Sequence, residues 1–166
     1  LQRVSRKLQT NLYTIDLICH GSPSTKVLDI YLRQHNKNLR NLNDFKFREK
    51  NKFGLYNEGN KLAKFSNLDS YSIAFLNGIC FTENCYSCQY ARSERVSDLT
   101  LGDSWGSNLS KEEVDKGISL MLCQTEKGEK LILNSNIQIY NVDEGKCKKN
   151  NYQLVHPSVC PKRRKI

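Results

Sequence analysis

Two cysteines three positions apart, Cys85 and Cys88, are the feature that most constrains the fold of this chain. A Cys-x-x-Cys turn brings two thiols together, where they can bind zinc, cycle as a dithiol, form a disulfide or bind an iron–sulfur cluster. Apolar residues at helical spacing over 71–79 precede the pair, and a polar stretch over 89–95 follows it. We therefore predict a cysteine-bearing loop between a helix and a strand over 96–102.

The cysteine count indicates whether these thiols form disulfides or stay reduced. The chain has seven cysteines in 166 residues, and their odd number and uneven spacing argue against a disulfide framework. Reduced thiols in a cytoplasmic protein are the better interpretation. No apolar run reaches the roughly 18 to 20 residues of a membrane span, so we expect no membrane-spanning helix.

The net charge of +9 suits an anionic partner. Basic residues are nevertheless spread along the whole chain, and only residues 161–165 (PKRRK) form a dense run. Aromatic residues do not interleave with that run, as they would in a platform for single-stranded nucleic acid. Nucleic acid is therefore not favoured as the partner.

Strand and helix patterns alternate along the chain. The apolar run 12–19 predicts a buried strand, and Ser22 and Pro23 predict the N-cap and first residue of a helix. Leu28, Tyr31 and Leu32 recur on one face of that helix. Further patterns predict strands over 118–123 and 137–142, and a meander of residues 55–56 and 62–65 with a turn over 58–60.

This order predicts an α/β or mixed α+β fold. We expect one domain over residues 1–166, with a central mixed sheet and flanking helices.

The residues alone leave the role of the cysteine pair open. Dithiol cycling is weakly supported, because the pair follows a helix instead of standing at a helix N-terminus. Zinc needs four ligands and the chain has one Cys-x-x-Cys, although His156 with Cys160 could add a second pair. For an iron–sulfur cluster, Cys19 is well placed at a strand end beside the turn glycine Gly21.

Three segments together resemble one family. They are DLICHGSPS (16–24), CYSCQYARSERVSDLTLGDSWG (85–106) and KGISLMLCQTEKG (116–128). Their order and content are similar to the C-terminal domain of the coenzyme F(420) hydrogenase/dehydrogenase beta-subunit family. The resemblance implies an oxidoreductase that passes electrons between a [4Fe–4S] cluster and a flavin, FAD rather than FMN, for hydride transfer to a deazaflavin or another small substrate. It also implies a ferredoxin-like electron donor, either a separate protein or a fused module.

The resemblance assigns Cys19, Cys85 and Cys88 as cluster ligands. The family's fourth cysteine usually lies in a T-P-C-Q segment upstream of the first residue here, so we expect this chain to be a fragment that lacks its N-terminal part. Cys80, Cys123, Cys147 and Cys160 are off the family pattern, and we interpret them as packing or surface thiols.

Six other residues are candidates for binding the cofactor. The helix start after His20, Gly21 and Ser22 could attract a flavin phosphate, although a capped turn explains it equally well. The other three candidates each have a structural alternative as well. Arg95 could be an exposed loop arginine, Asp103 a capping carboxylate and Trp105 a core indole.

The rival class is a binding module, in which zinc stabilises a basic domain that docks nucleic acid or an acidic protein. A third interpretation is a degenerate chain that folds without any cofactor.

Overall fold

Helices and strands alternate along the part of the chain that the computed structural model describes, residues 5–49, 52–62 and 69–164. The helices are α1 (Arg6–Asn11), α2 (Thr25–Gln34), α3 (Ser70–Leu76), α4 (Lys111–Lys116), α5 (Glu126–Leu133) and α6 (Glu144–Asn150). The strands are β1 (Ile15–Leu17), β2 (Lys46–Glu49), β3 (Lys52–Asn57), β4 (Asn60–Lys61), β5 (Leu99–Asp103) and β6 (Ser119–Cys123). The predicted α/β class is confirmed, and the cysteine pair lies between α3 and β5. None of the helices in these described ranges is long and apolar enough to cross a membrane.

The chain divides into two compact units, each made of two separate stretches. Unit 1 comprises Leu1–Cys19 and Gln89–Pro157, and unit 2 comprises His20–Cys88 and Ser158–Ile166. The chain therefore passes between the units directly after Cys19, Cys88 and Pro157. Each unit has its own three-stranded sheet.

Unit 1 contains a mixed sheet of β1, β5 and β6, with helices packed on both faces of the sheet. β1 runs parallel to β5, and β5 runs antiparallel to β6. On one face α5 packs so closely that a Cβ on Gly128 would lie 2.2 Å from the backbone oxygen of Asp98, which explains a glycine inside a helix. On the other face Leu120 is buried with Cys147 and Leu154.

Strand β1 is shorter and more exposed than predicted. It pairs over three residues, and the side chains of Ile15 and Leu17 are 55% and 65% exposed. The buried-strand prediction for residues 12–19 is wrong because β1 is an edge strand, and a continuous apolar run does not reveal that position.

The predicted strand over residues 137–142 is also wrong, since these described residues join no sheet. The segment lines a cleft of about 370 Å³ beside β6, with Ile137 and Ile139 about half exposed.

Unit 2 packs α2 and α3 against an antiparallel meander of β2, β3 and β4. Its core consists of Leu28, Tyr31 and Leu32 from α2, Leu55 from β3 and Tyr71 from α3. The predicted buried face of α2 and the predicted turn over residues 58–60 of the meander are confirmed. Residues 63–65 of the last predicted strand lie outside the described residues.

Helix α2 begins later than predicted. Its N-cap is Ser24, whose side chain accepts the N–H of Lys26. Ser22 and Pro23 are extended instead, because Pro23 forms a bridge with Phe81 and the Ser22 carbonyl accepts the Thr82 N–H at 2.9 Å. Because of this pairing the chain stays extended through Pro23, and the N-cap of α2 is Ser24 instead of Ser22.

A close approach between Gly21 and Phe81 makes the pairing feasible. Phe81 is 2% exposed, and a Cβ on Gly21 would lie 2.3 Å from its ring. The ring also packs at 5.5 Å from the ring of Phe75 and 5.6 Å from that of His20. Only a residue without a side chain lets the backbone after Cys19 lie against this aromatic cluster.

Asp98 joins three elements of unit 1 through its carboxylate. The carboxylate accepts the Thr14 N–H at 2.8 Å and the Thr125 hydroxyl at 2.8 Å, and Lys127 Nζ lies 3.3 Å away. Burial would by itself raise the pKa of Asp98, but these hydrogen bonds outweigh it and lower the pKa from 3.8 to about 2. The carboxylate thus caps the backbone N–H of Thr14.

Asp98→Asn should lower the free energy of unfolding by about 2 kcal/mol at pH 7, because the amide cannot accept all of these hydrogen bonds. A depressed pKa stabilises the fold above the unfolded value near 4, and this contribution is lost as the pH falls toward 2. The gap between wild type and variant in urea unfolding should therefore close over that range. Asp29→Asn, which breaks an exposed ion pair with Arg33, is the control and should change little. An equal gap at pH 7 and at pH 2 would contradict this account.

Gly21→Ala should lower the free energy of unfolding by about 1 to 3 kcal/mol, because the new methyl group overlaps the Phe81 ring. Chemical denaturation measures the loss. The double variant with Phe81→Leu should recover part of it, since the smaller side chain makes room. Gly145→Ala in the first turn of α6 is the matched control and should cost nothing, because its methyl group meets only the end of the Asp143 side chain. Equal losses at both glycines would contradict the steric explanation.

Candidate functional site

The cysteine pair lies on a short 3-10 turn of unit 2. The turn spans Glu83–Ser87, Cys88 follows it directly, and both thiols are half-buried. Cys85 Sγ accepts the backbone N–H of Ser22 at 3.2 Å and lies 3.4 Å from Thr82 Oγ1. The turn is thus hydrogen-bonded to the segment that begins unit 2.

The sulfur of Cys85 accepts a backbone hydrogen bond. A backbone N–H directed at sulfur stabilises negative charge on that atom, as in sites where thiolates bind metals. Iron–sulfur clusters and zinc both take Cys-x-x-Cys thiolates, so the donor pair fits either group. Among the described residues, no three His, Cys, Asp or Glu side chains form a ready-made metal site. The three-cysteine ligand set therefore remains a prediction.

Cys19 is the last residue of unit 1 and is exposed. It follows β1 by two residues, and the N–H of Ile18 still donates to the Leu101 carbonyl at 2.7 Å. The predicted position at the end of a strand is confirmed, although that strand lies at the sheet edge.

The six cofactor candidates divide between the units. His20, Gly21 and Ser22 lie in unit 2, beside the Phe75 and Phe81 rings and Cys85. The other three lie in unit 1, and they are Arg95, Asp103 and Trp105.

Arg95 is buried, contrary to the exposed-loop alternative. Its side chain is 4% exposed, its Nη1 lies 3.4 Å from Asp16 Oδ2, and its Nε donates to the Arg92 carbonyl at 2.7 Å. The guanidinium therefore ties the loop after the cysteine pair to β1, within unit 1.

Asp103 is the exposed last residue of β5, paired with Ser119 of β6. Trp105 is 48% exposed and lines a cavity of about 110 Å³ with Tyr140 and Lys146. The core-packing alternative for this tryptophan is wrong, because its position after the strand places the indole at the surface.

Unit 2 also has an apolar cavity of about 280 Å³ that the sequence did not reveal. Its walls include Pro23, Phe47, Phe53, Tyr71, Phe75 and Leu76. Cavities lined by aromatic and aliphatic side chains are typical sites for planar organic ligands. The aromatic residues that form it are scattered over three elements, so no local motif marks it.

Comparison with known proteins assigns the chain to a family. The family model that describes the C terminus of the coenzyme F420 hydrogenase/dehydrogenase beta subunit matches residues 1–144. No curated protein and no solved structure matches the chain. The matched range includes Cys19, Cys85 and Cys88, and the resemblance inferred from the motifs is confirmed. The chain therefore belongs to the family of the C-terminal part of the coenzyme F420 hydrogenase/dehydrogenase beta subunit, which is part of an oxidoreductase.

Proposed function

We propose that this chain passes electrons between a [4Fe–4S] cluster and a flavin, for hydride transfer to a deazaflavin or another small substrate. Cys19, Cys85 and Cys88 would supply three of the cluster thiolates. The flavin would be FAD rather than FMN, and a ferredoxin-like protein or a fused ferredoxin module would donate the electrons. The family supports the redox class, and the finer assignments are our inference.

The hydrogen bond from Ser22 N–H to Cys85 Sγ is the observation that carries this proposal. Backbone N–H groups directed at the sulfur atoms are among the features that tune protein-bound iron–sulfur clusters. Chain length adds a second support. Ser22 is three residues after Cys19, so their Cα atoms are at most roughly 11 Å apart, whatever the backbone conformation. A connection this short is compatible with Cys19 and Cys85 as ligands of one cluster.

The residues around the pair would have distinct tasks. The Ser22 N–H would stabilise negative charge on sulfur, and the buried Phe81 ring beside Gly21 would exclude water from that side of the turn. The aromatic cavity lined by Phe53 and Phe75 offers apolar walls for a planar ring. When bound, the cluster carries single electrons and the flavin carries two, so two cluster electrons and one proton balance one hydride.

Trp105 and Asp103 are the exposed cofactor candidates of unit 1, considered by itself. Trp105 could stack on the flavin ring, and Asp103 could accept a hydrogen bond from the ring or a ribose. Arg95 is held by Asp16, so its contribution to a phosphate site would be to position the neighbouring loop.

Anaerobically purified full-length protein should be brown, with broad visible absorption that dithionite bleaches. Cys85→Ser and Cys88→Ser should each lose most of the iron per chain, because a hydroxyl is a poor ligand for the cluster. Cys123→Ser, at an exposed thiol that ends β6, is the matched control and should keep its iron. Iron and acid-labile sulfide analysis measures all four proteins.

A colourless protein with one zinc per chain would overturn this proposal in favour of the zinc-stabilised binding module. Salt-sensitive binding to an oligonucleotide would then support nucleic acid as the partner of that module.

A further inference from the structure

The last stretch of unit 2 folds back onto the cysteine turn. We call residues 158–164 the C-terminal strap. Ser158 Oγ at its start donates to the His20 carbonyl at 3.1 Å, directly after Cys19 in the chain. Arg164 at its end lies on a 3-10 turn, Lys162–Arg164. The strap lies beyond the residues 1–144 that the family model matches.

Arg164 makes the main contacts of the strap. Its Nη1 has three acceptors within hydrogen-bond distance: the carbonyl of Ile79 at 3.0 Å, the hydroxyl of Tyr86 at 3.0 Å and the carbonyl of Phe81. Its Nη2 lies 2.5 Å from Glu83 Oε1. A single side chain thus binds four residues of the ten-residue stretch that leads to Cys88.

Tyr86 connects this arginine to the cysteines, because it stands between Cys85 and Cys88. The guanidinium lies 4.9 Å from the centre of the Tyr86 ring, and the Tyr86 hydroxyl also donates to the Gly78 carbonyl at 2.5 Å. The Tyr86 hydroxyl therefore accepts a hydrogen bond from Arg164 and donates one to Gly78. A side chain fixed in this way restrains the turn between Cys85 and Cys88.

We propose that Arg164 is the positioning residue of the cysteine pair, which rests on the proposed metal-binding function of that pair. Its planar fork places one nitrogen against the carbonyls of residues 79 and 81 and the Tyr86 hydroxyl, and the other nitrogen against the Glu83 carboxylate. It also places a fixed positive charge beside the turn that carries two thiolates. A lysine can keep the charge but cannot make the forked set of contacts.

Hydrogen exchange of the metal-free protein tests the positioning role directly. Arg164→Gln should speed exchange of the amides of Thr82 and Cys85, which donate to Ser22 and Thr82 in the intact turn. Arg163→Gln removes the same charge at an exposed neighbour and should leave these amides unchanged. The amides of β5 in unit 1 serve as the internal reference. Equal exchange in the two variants would overturn the proposal.

Reconstitution with iron and sulfide tests the consequence for the metal. Arg164→Gln should release iron to a chelator roughly 10-fold faster or more than Arg163→Gln, as expected for residues that orient metal ligands. Arg164→Lys should release iron as fast as Arg164→Gln. The reduction potential of Arg164→Lys should nevertheless stay near that of wild type. The potential of Arg164→Gln should become more negative, because a cation is lost.

Leu55→Ala, which weakens the hydrophobic core of unit 2, separates this effect from general destabilisation and should not hasten iron loss. Wild-type release rates in Arg164→Gln, or full retention in Arg164→Lys, would overturn the fork mechanism. If wild type binds no iron at all, the proposed function fails, and hydrogen exchange still decides whether Arg164 holds the turn.

Discussion

The backbone between Gly21 and Pro23 lies against the Phe81–Thr82 backbone, and the cysteine site depends on this contact. Because Gly21 lacks a side chain, the Phe81 ring occupies the space beside it. The Ser22 carbonyl can then accept the Thr82 N–H, and the Ser22 N–H can reach the Cys85 sulfur. Two segments of unit 2 about sixty residues apart in sequence, residues 21–23 and 81–85, are thereby joined by hydrogen bonds.

The sequence was a good guide wherever a local pattern was sufficient. Helical spacing identified the buried face of α2 at Leu28, Tyr31 and Leu32, and ordered motifs identified the family. Tertiary position was not visible in the same way. β1 has the composition of a central strand but lies at an edge, and Trp105 has the size of a core residue but follows a strand end and is half exposed. An amino-acid pattern reports what a segment can bury, whereas the neighbours it receives decide what it does bury.

Sequence patterns also did not predict the polar contacts between residues far apart in the chain. Asp98 binds Thr14, 84 residues away, and Arg164 binds Tyr86, 78 residues away. In sequence the first is an ordinary acidic residue before a strand and the second belongs to a basic tail. Both carry their role only because the fold brings hydrogen-bonding groups to them. The charge run over residues 161–165, which argued weakly for an anionic partner, contains the arginine that contacts the cysteine turn.

The discontinuous make-up of both units has a consequence for biosynthesis. Unit 2 begins at His20 but needs Ser158 and the residues after it, which are translated about 70 residues after Cys88. A nascent chain on the ribosome therefore exposes Cys85 and Cys88 long before the arginine that fastens their turn has been made. A premature stop codon after Pro157 would therefore yield a polypeptide with every cysteine of the matched family region but without the arginine that fastens the turn.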